Sequence, residues 1–246
     1  MREALKRQDY VFLGLEVIVV IFSILVAFQM ERWADDGRER KEEPNYLLRL
    51  KEDMQIEIAH MDDAVGYARE RIEAALLLEK IVSGPVLALD NPGALARAVE
   101  TASWLSFPNL DAFVYSELLN SGKLALIQSE TLRRALAEHY AVFHHNSRIG
   151  LARDVQIQFD RQTAGILSSE ELRSIEELTW QDLHYDISAQ RGAEIAEQFR
   201  SKPLAIALIP SIVQHHVFNV RAIEQTRSSA LAIIDQIEQL LAGFSG

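Results

Sequence analysis

From Pro44 onward, apolar residues recur at alternating spacings of four and three. Leu47, Met54, Ile58, Met61, Val65, Ala68, Ile72 and Ala75 follow one another, with Lys51 at the skipped position. That period places one apolar stripe on a long helix and predicts it to about Val82, where Ser83, Gly84 and Pro85 stop it. Pro44 is predicted to start this helix, since a first-turn proline loses no hydrogen bond. The stripe reads as core packing, with a coiled-coil contact between protomers as its sharper alternative; Met54, Met61, Ala68 and Ala75 are loose or small for a zipper.

Further helices are marked by their breakers. Asn91 and Pro92 predict an N-cap and first turn for a helix reaching Leu105, and Pro108 ends that stretch. Leu110 to Leu119 predicts a short helix closed at Asn120, Ser121 and Gly122, with Gly122 as a left-handed C-cap. Ser129 predicts the cap of a helix from Glu130 towards Ile166, and Ser168 and Ser169 precede another through Leu178. Thr179 to Arg191, with Trp180 and Tyr185, reads as irregular. A last helix starts near Pro203 or Pro210 and runs to Leu241. No stretch alternates as a strand does, so the expected fold is an antiparallel helical bundle over residues 45–246.

A different pattern precedes it. Val11 to Phe28 is almost continuously apolar, interrupted by Gly14, Glu16 and Ser23. Tyr10 to Met30 at ~1.5 Å per residue spans about 30 Å, the hydrocarbon thickness of a bilayer. Tyr10 and Trp33 bracket the run as interfacial aromatics do. No small-residue pair follows it for a signal peptidase. The whole chain therefore reads as all-α: a short tail (1–9), a transmembrane helix (10–30), a charged juxtamembrane segment (31–44) and the bundle. Glu16, Ser23 and Ala27 fall within roughly 20° of one another around that helix. They are the candidate face for packing against another membrane helix, from a sister copy or a membrane partner; the alternative is that Glu16 snorkels to the headgroups.

Basic residues flank the run almost equally: Arg2, Lys6 and Arg7 before it, Arg32, Arg38, Arg40 and Lys41 after it. The second group is diluted by six acids from Glu31 to Glu43, which favours the N-terminus inside and the bundle outside. The net charge of −11 lies beyond the apolar run, which disfavours nucleic-acid partners. With no cysteine, thiolate metal sites and cysteine nucleophiles are excluded.

Two segments resemble a known family. EVIVVIFSILVAFQMERW followed by RERKEEPNYLLRLKEDM is one, and YSELLNSGKLALIQSETLRRALAEHY, Tyr115 to Tyr140, is the other. Both are similar to the bacterial single-pass membrane proteins grouped as domain of unknown function 6090. The chain departs from that pattern at Phe22-Ser23, where members often carry a glycine. The resemblance implies an all-helical domain on a membrane anchor, and it implies no activity; together with the flanking charges, the expected location is a bacterial inner membrane with the N-terminus cytoplasmic and the domain periplasmic.

The remaining candidates for chemistry are few. His144 and His145 on a middle helix and His215 and His216 on the last are weak metal candidates, with Glu138, His139 or Glu224 as helpers. Adjacent histidines point about 100° apart, so each pair offers one ligand. Ser121-Gly122-Lys123 lacks the upstream glycine of a phosphate loop. There is no nucleophile elbow, and the acids read as scattered along charged faces. No cofactor and no enzymatic activity are expected. The reading is a membrane-anchored structural or interaction protein, oligomeric or part of a membrane complex. Its alternatives are a ligand-sensing helical domain acting through a partner, or a histidine-based metal-binding protein.

Overall fold

The computed structural model describes residues 2–84, 91–110, 112–144, 148–176 and 185–244; within these, the side chains of 2–19, 27–28, 30–41, 142–144, 148–149 and 176 are excluded. The described residues are all-helical. α1 is Arg2–Ser83, α2 Pro92–Thr101, α3 Phe113–Asn120, α4 Glu130–His144, α5 Arg148–Thr163, α6 Ser169–Glu176, α7 Ala189–Arg200 and α8 Pro203–Phe244, with a 3₁₀ turn at Lys123–Leu126 between α3 and α4.

The helix start expected at Pro44 does not occur. α1 runs unbroken through Pro44, so the 31–44 segment and the stripe helix are one rod. An interior proline removes one ladder bond and crowds the preceding turn, a penalty of about 3 kcal/mol. Burial beginning at this point offsets it: Glu43, Tyr46, Leu47 and Leu50 are all buried.

The stripe packs inside the chain. Leu47, Met54, Met61, Ala68 and Ala75 are fully buried, and Leu50 and Leu78 join them. Their main cover is α8, which runs antiparallel to α1. Lys51 pairs with Glu238 at 2.6 Å, Asp62 with Arg227 at 2.7 Å and Arg69 with Glu224 at 2.8 Å, so residue numbers fall on α8 as they rise on α1. Among the described residues α8 is the helix long and apolar enough to cross a membrane by length and composition. Its apolar stripe, Ala205, Ile209, Ile212, Ile223, Ala230, Ile234 and Ile237, is buried in the fold.

Two apolar clusters divide the rod. One joins Tyr46–Val65 of α1 to α3, α4 and the second half of α8. The other joins Ala74–Ile81 to α2, Phe159, α6, α7 and the start of α8. α2 starts as expected, with Asn91 Oδ1 accepting from Ala94 N–H at 2.9 Å, but ends at Thr101. The single helix expected from Glu130 is α4 and α5, with 145–147 between them outside the described residues. α6 opens on a capping box: Glu171 N–H donates to Ser168 Oγ and Ser168 N–H to the Glu171 carboxylate. α7 lies in a stretch for which the sequence pattern predicts no helix. Ser188 caps it by accepting from Arg191 N–H, and Ile195, Ala196 and Phe199 are its buried face.

Candidate functional site

Two features of α1 stand out: an uncovered apolar segment and a set of buried carboxylates. Val20, Ile21, Phe22, Ile24, Leu25 and Val26 are all exposed, from 41% at Val26 to 66% at Phe22. At 100° per residue, positions 20–26 reach every side of the helix. No protein surface among the described residues covers this segment, and a continuous apolar patch is what water least tolerates. Ser23 lies within it, also exposed. The backbone at Tyr10, Glu16, Ala27 and Trp33 is helical, and their side chains lie outside the described residues.

The acids of α1 are not all solvated, which corrects the sequence reading. Glu43 is 2% and Glu57 1% exposed. Glu57 occupies a core position of the 4-3-4 run Leu50, Met54, Glu57, Met61, so an acid interrupting an apolar stripe was the available signal. Its Oε1 accepts from the Tyr140 hydroxyl at 2.9 Å, and its Oε2 lies 3.0 Å from His139 Nε2. Burial and the neighbouring Glu57 push the Tyr140 phenol far above its ordinary range, so it stays a donor. Tyr115 stacks on Tyr140 with centroids 4.8 Å apart. Further along, Glu43 Oε1 accepts from Gln128 N–H at 2.8 Å. Asp53 Oδ2 accepts from Val114 N–H at 2.8 Å; burial raises its carboxyl above the usual range, and that hydrogen bond opposes the shift.

Of the four histidine candidates, His215 and His216 have described side chains. His216 is buried, with Nε2 2.8 Å from the Ala102 carbonyl; desolvation lowers its pKa to about 4, so the ring is neutral and donates. His215 is half-buried beside it. His144 and His145 side chains lie outside the described residues. His139 is committed to Glu57, and among the described residues no three metal-ligating side chains gather. A cleft of about 250 Å³ between α4 and α8 is lined by Glu138, His139, Gln225, Thr226 and Ser229. The His139 ring is sealed from solvent, and its buried Nδ1 has no hydrogen-bond partner.

Gly122 follows α3 with φ +71, the left-handed region, and leads into the 3₁₀ turn. No local pattern marks Arg71, whose guanidinium is buried over the Tyr67 ring at 5.2 Å. Desolvation lowers its pKa to about 10.

The chain belongs to a family of unknown function, DUF6090, whose model matches residues 16–181. That match begins at Glu16, takes in the exposed apolar segment and the buried carboxylates of α1, and ends beyond α6. No curated protein and no solved structure matches the chain.

Proposed function

We propose that this is a membrane-anchored interaction protein: residues 10–30 of α1 span a bilayer, and the rest of the chain is a helical bundle held outside it. The observation that carries this reading is the seven-residue stretch Val20–Val26, whose side chains point all round the helix and are exposed on every side. A helix apolar all round is at home in lipid or deep in a core, and no core surrounds this one among the described residues. α8 passes the same length and composition test but is stitched along α1 by ion pairs and supplies both apolar clusters. Its buried stripe belongs to the bundle, and 22% of its most apolar window is buried.

Because α1 is one helix, the anchor and the bundle are joined by a helical stalk. From Val26 to Glu43, the first buried residue of the bundle, is about 25 Å at helical rise. In this reading the membrane is a bacterial inner membrane, with the N-terminus cytoplasmic and the bundle periplasmic. The Glu16, Ser23 and Ala27 face packs on a membrane helix of a sister copy or a partner.

Two experiments test this. Carbonate washing of membranes should leave the full chain in the pellet, and protease added to spheroplasts should digest the region beyond Trp33. Release by carbonate would refute the anchor, and protection until lysis would reverse the orientation. Glu16→Leu combined with Ser23→Leu should weaken cross-linking between membrane helices while insertion persists; unchanged cross-linking returns Glu16 to the headgroup reading.

A further inference from the structure

α3 and the 3₁₀ turn behind it have little of their own to hold them. α3 is eight residues long, well under the ~12–15 at which isolated helices become even marginal. Its N-cap, Ala112, supplies no side-chain acceptor. The N–H groups that a cap would satisfy are orphaned unless something else meets them. That acceptor comes from α1: Asp53 takes the Val114 N–H. At the far end Glu43 takes the Gln128 N–H, just after the turn. Between these two, Arg49 grips Glu117 at 2.5 Å, with Tyr46 donating to the same carboxylate at 3.3 Å.

Val114, Leu118, Leu126 and Ile127 enter the cluster that holds Leu47, Leu50 and Met54, and Tyr115 and Leu124 pack part-buried against it, while Phe113 and Leu119 face solvent. Exposed outer residues, a helix too short to stand alone and caps borrowed from another element are the marks of a segment that opens below the global unfolding free energy.

We propose that residues 113–127 form a strap that opens as a separate unit, latched to α1 by Asp53 and Glu43 and covering part of the α1 apolar stripe. The latch residues all lie within the first three turns of the bundle, on the helix that the membrane reading extends into the bilayer. Movement of the anchor along or around its axis would therefore reach the strap first. That link rests on the membrane reading; the strap itself does not.

Hydrogen exchange read by mass spectrometry on the full chain in detergent micelles tests the strap. In the wild type, amides of 113–127 should exchange through an opening distinct from that of α8 and of residues 54–81 of α1. Asp53→Ala should speed exchange of 113–127 by roughly tenfold, the loss expected of a missing cap. Asp53→Asn, whose amide oxygen still accepts, should recover most of the protection. α2 and α7, which belong to the other cluster, should be unchanged in both. Equal protection of the strap and α8 in the wild type would overturn the proposal without any variant. So would an unaltered strap in Asp53→Ala, or a uniform rise across the whole chain. Carbonate extraction of the same variants is a separate readout: failure there refutes the anchor and leaves the strap standing.

Discussion

At Gly122 and Gly93 the missing side chain serves different ends. Gly122 holds φ +71 with nothing within 4 Å of where a Cβ would stand, so the demand is purely on the backbone. Gly122→Ala should therefore destabilise by about 1 kcal/mol, the preference of glycine for that region, and Gly122→Val by more. A neutral Gly122→Val in a denaturant melt would contradict the left-handed turn. Gly93 has an ordinary backbone, but a Cβ there would sit 1.4 Å from the Tyr185 carbonyl oxygen. That neighbour is backbone and cannot rotate away. Gly93→Ala should cost about 3 kcal/mol, near the upper end for overpacking, and a loss below that of Gly122→Ala would show that the 185 strand of chain yields freely.

Glu57 and His216 are the buried ionisable groups whose consequences are sharpest. Glu57→Leu fits the stripe but strands the Tyr140 hydroxyl and the His139 ring without their acceptor. At about 1–3 kcal/mol for each orphaned group, a loss of roughly 4 kcal/mol is expected in urea melts. A stabilised variant would mean that both groups find new partners. His216 sets a pH dependence. Its ring takes a proton near 6.5 in the unfolded chain and near about 4 in the fold. Protons thus bind the unfolded state first, so stability is full above about pH 6.5 and is lost as pH falls towards 4, by up to about 3 kcal/mol. Melts of the wild type and His216→Asn between those limits should converge as pH falls; parallel curves would show that the ring is not buried neutral.

Among the elements, legibility followed the strength of local signals. The α1 stripe is readable because its apolar positions, Leu47 to Ala75, repeat over about eight turns, and α2 because Asn91 and Pro92 are a cap and first-turn pair. The break expected at Pro44 is absent because proline rules act locally, whereas helix continuity there is set by packing between Glu43 and Leu50. α7 escaped because its buried set, Ile195, Ala196 and Phe199, is short and follows an irregular stretch, although Ser188 carried a capping signal. Glu57 escaped for a different reason. A carboxylate in an apolar period looks like a solvated face until the tertiary fold brings Tyr140 and His139 to it, from more than eighty residues away.

For the whole molecule, α1 is the organising element. It carries the exposed apolar segment and one wall of both clusters, and α8 lies antiparallel along its bundle half. The all-helical fold and the family followed from pattern and motif. What the architecture does constrain is the surroundings of residues 20–26, and the chain offers a clean means of probing them, since it contains no cysteine.

Single cysteines introduced in turn at positions 20–26, spin-labelled and reconstituted in vesicles, report collision with oxygen, which concentrates in lipid, and with a water-soluble nickel chelate. The membrane reading predicts high oxygen and low nickel accessibility at most of these positions, with any dip confined to the face of Ser23. High nickel accessibility around the helix would place the segment in water, and low accessibility to both probes at every position would place it inside protein; either result would contradict the anchor.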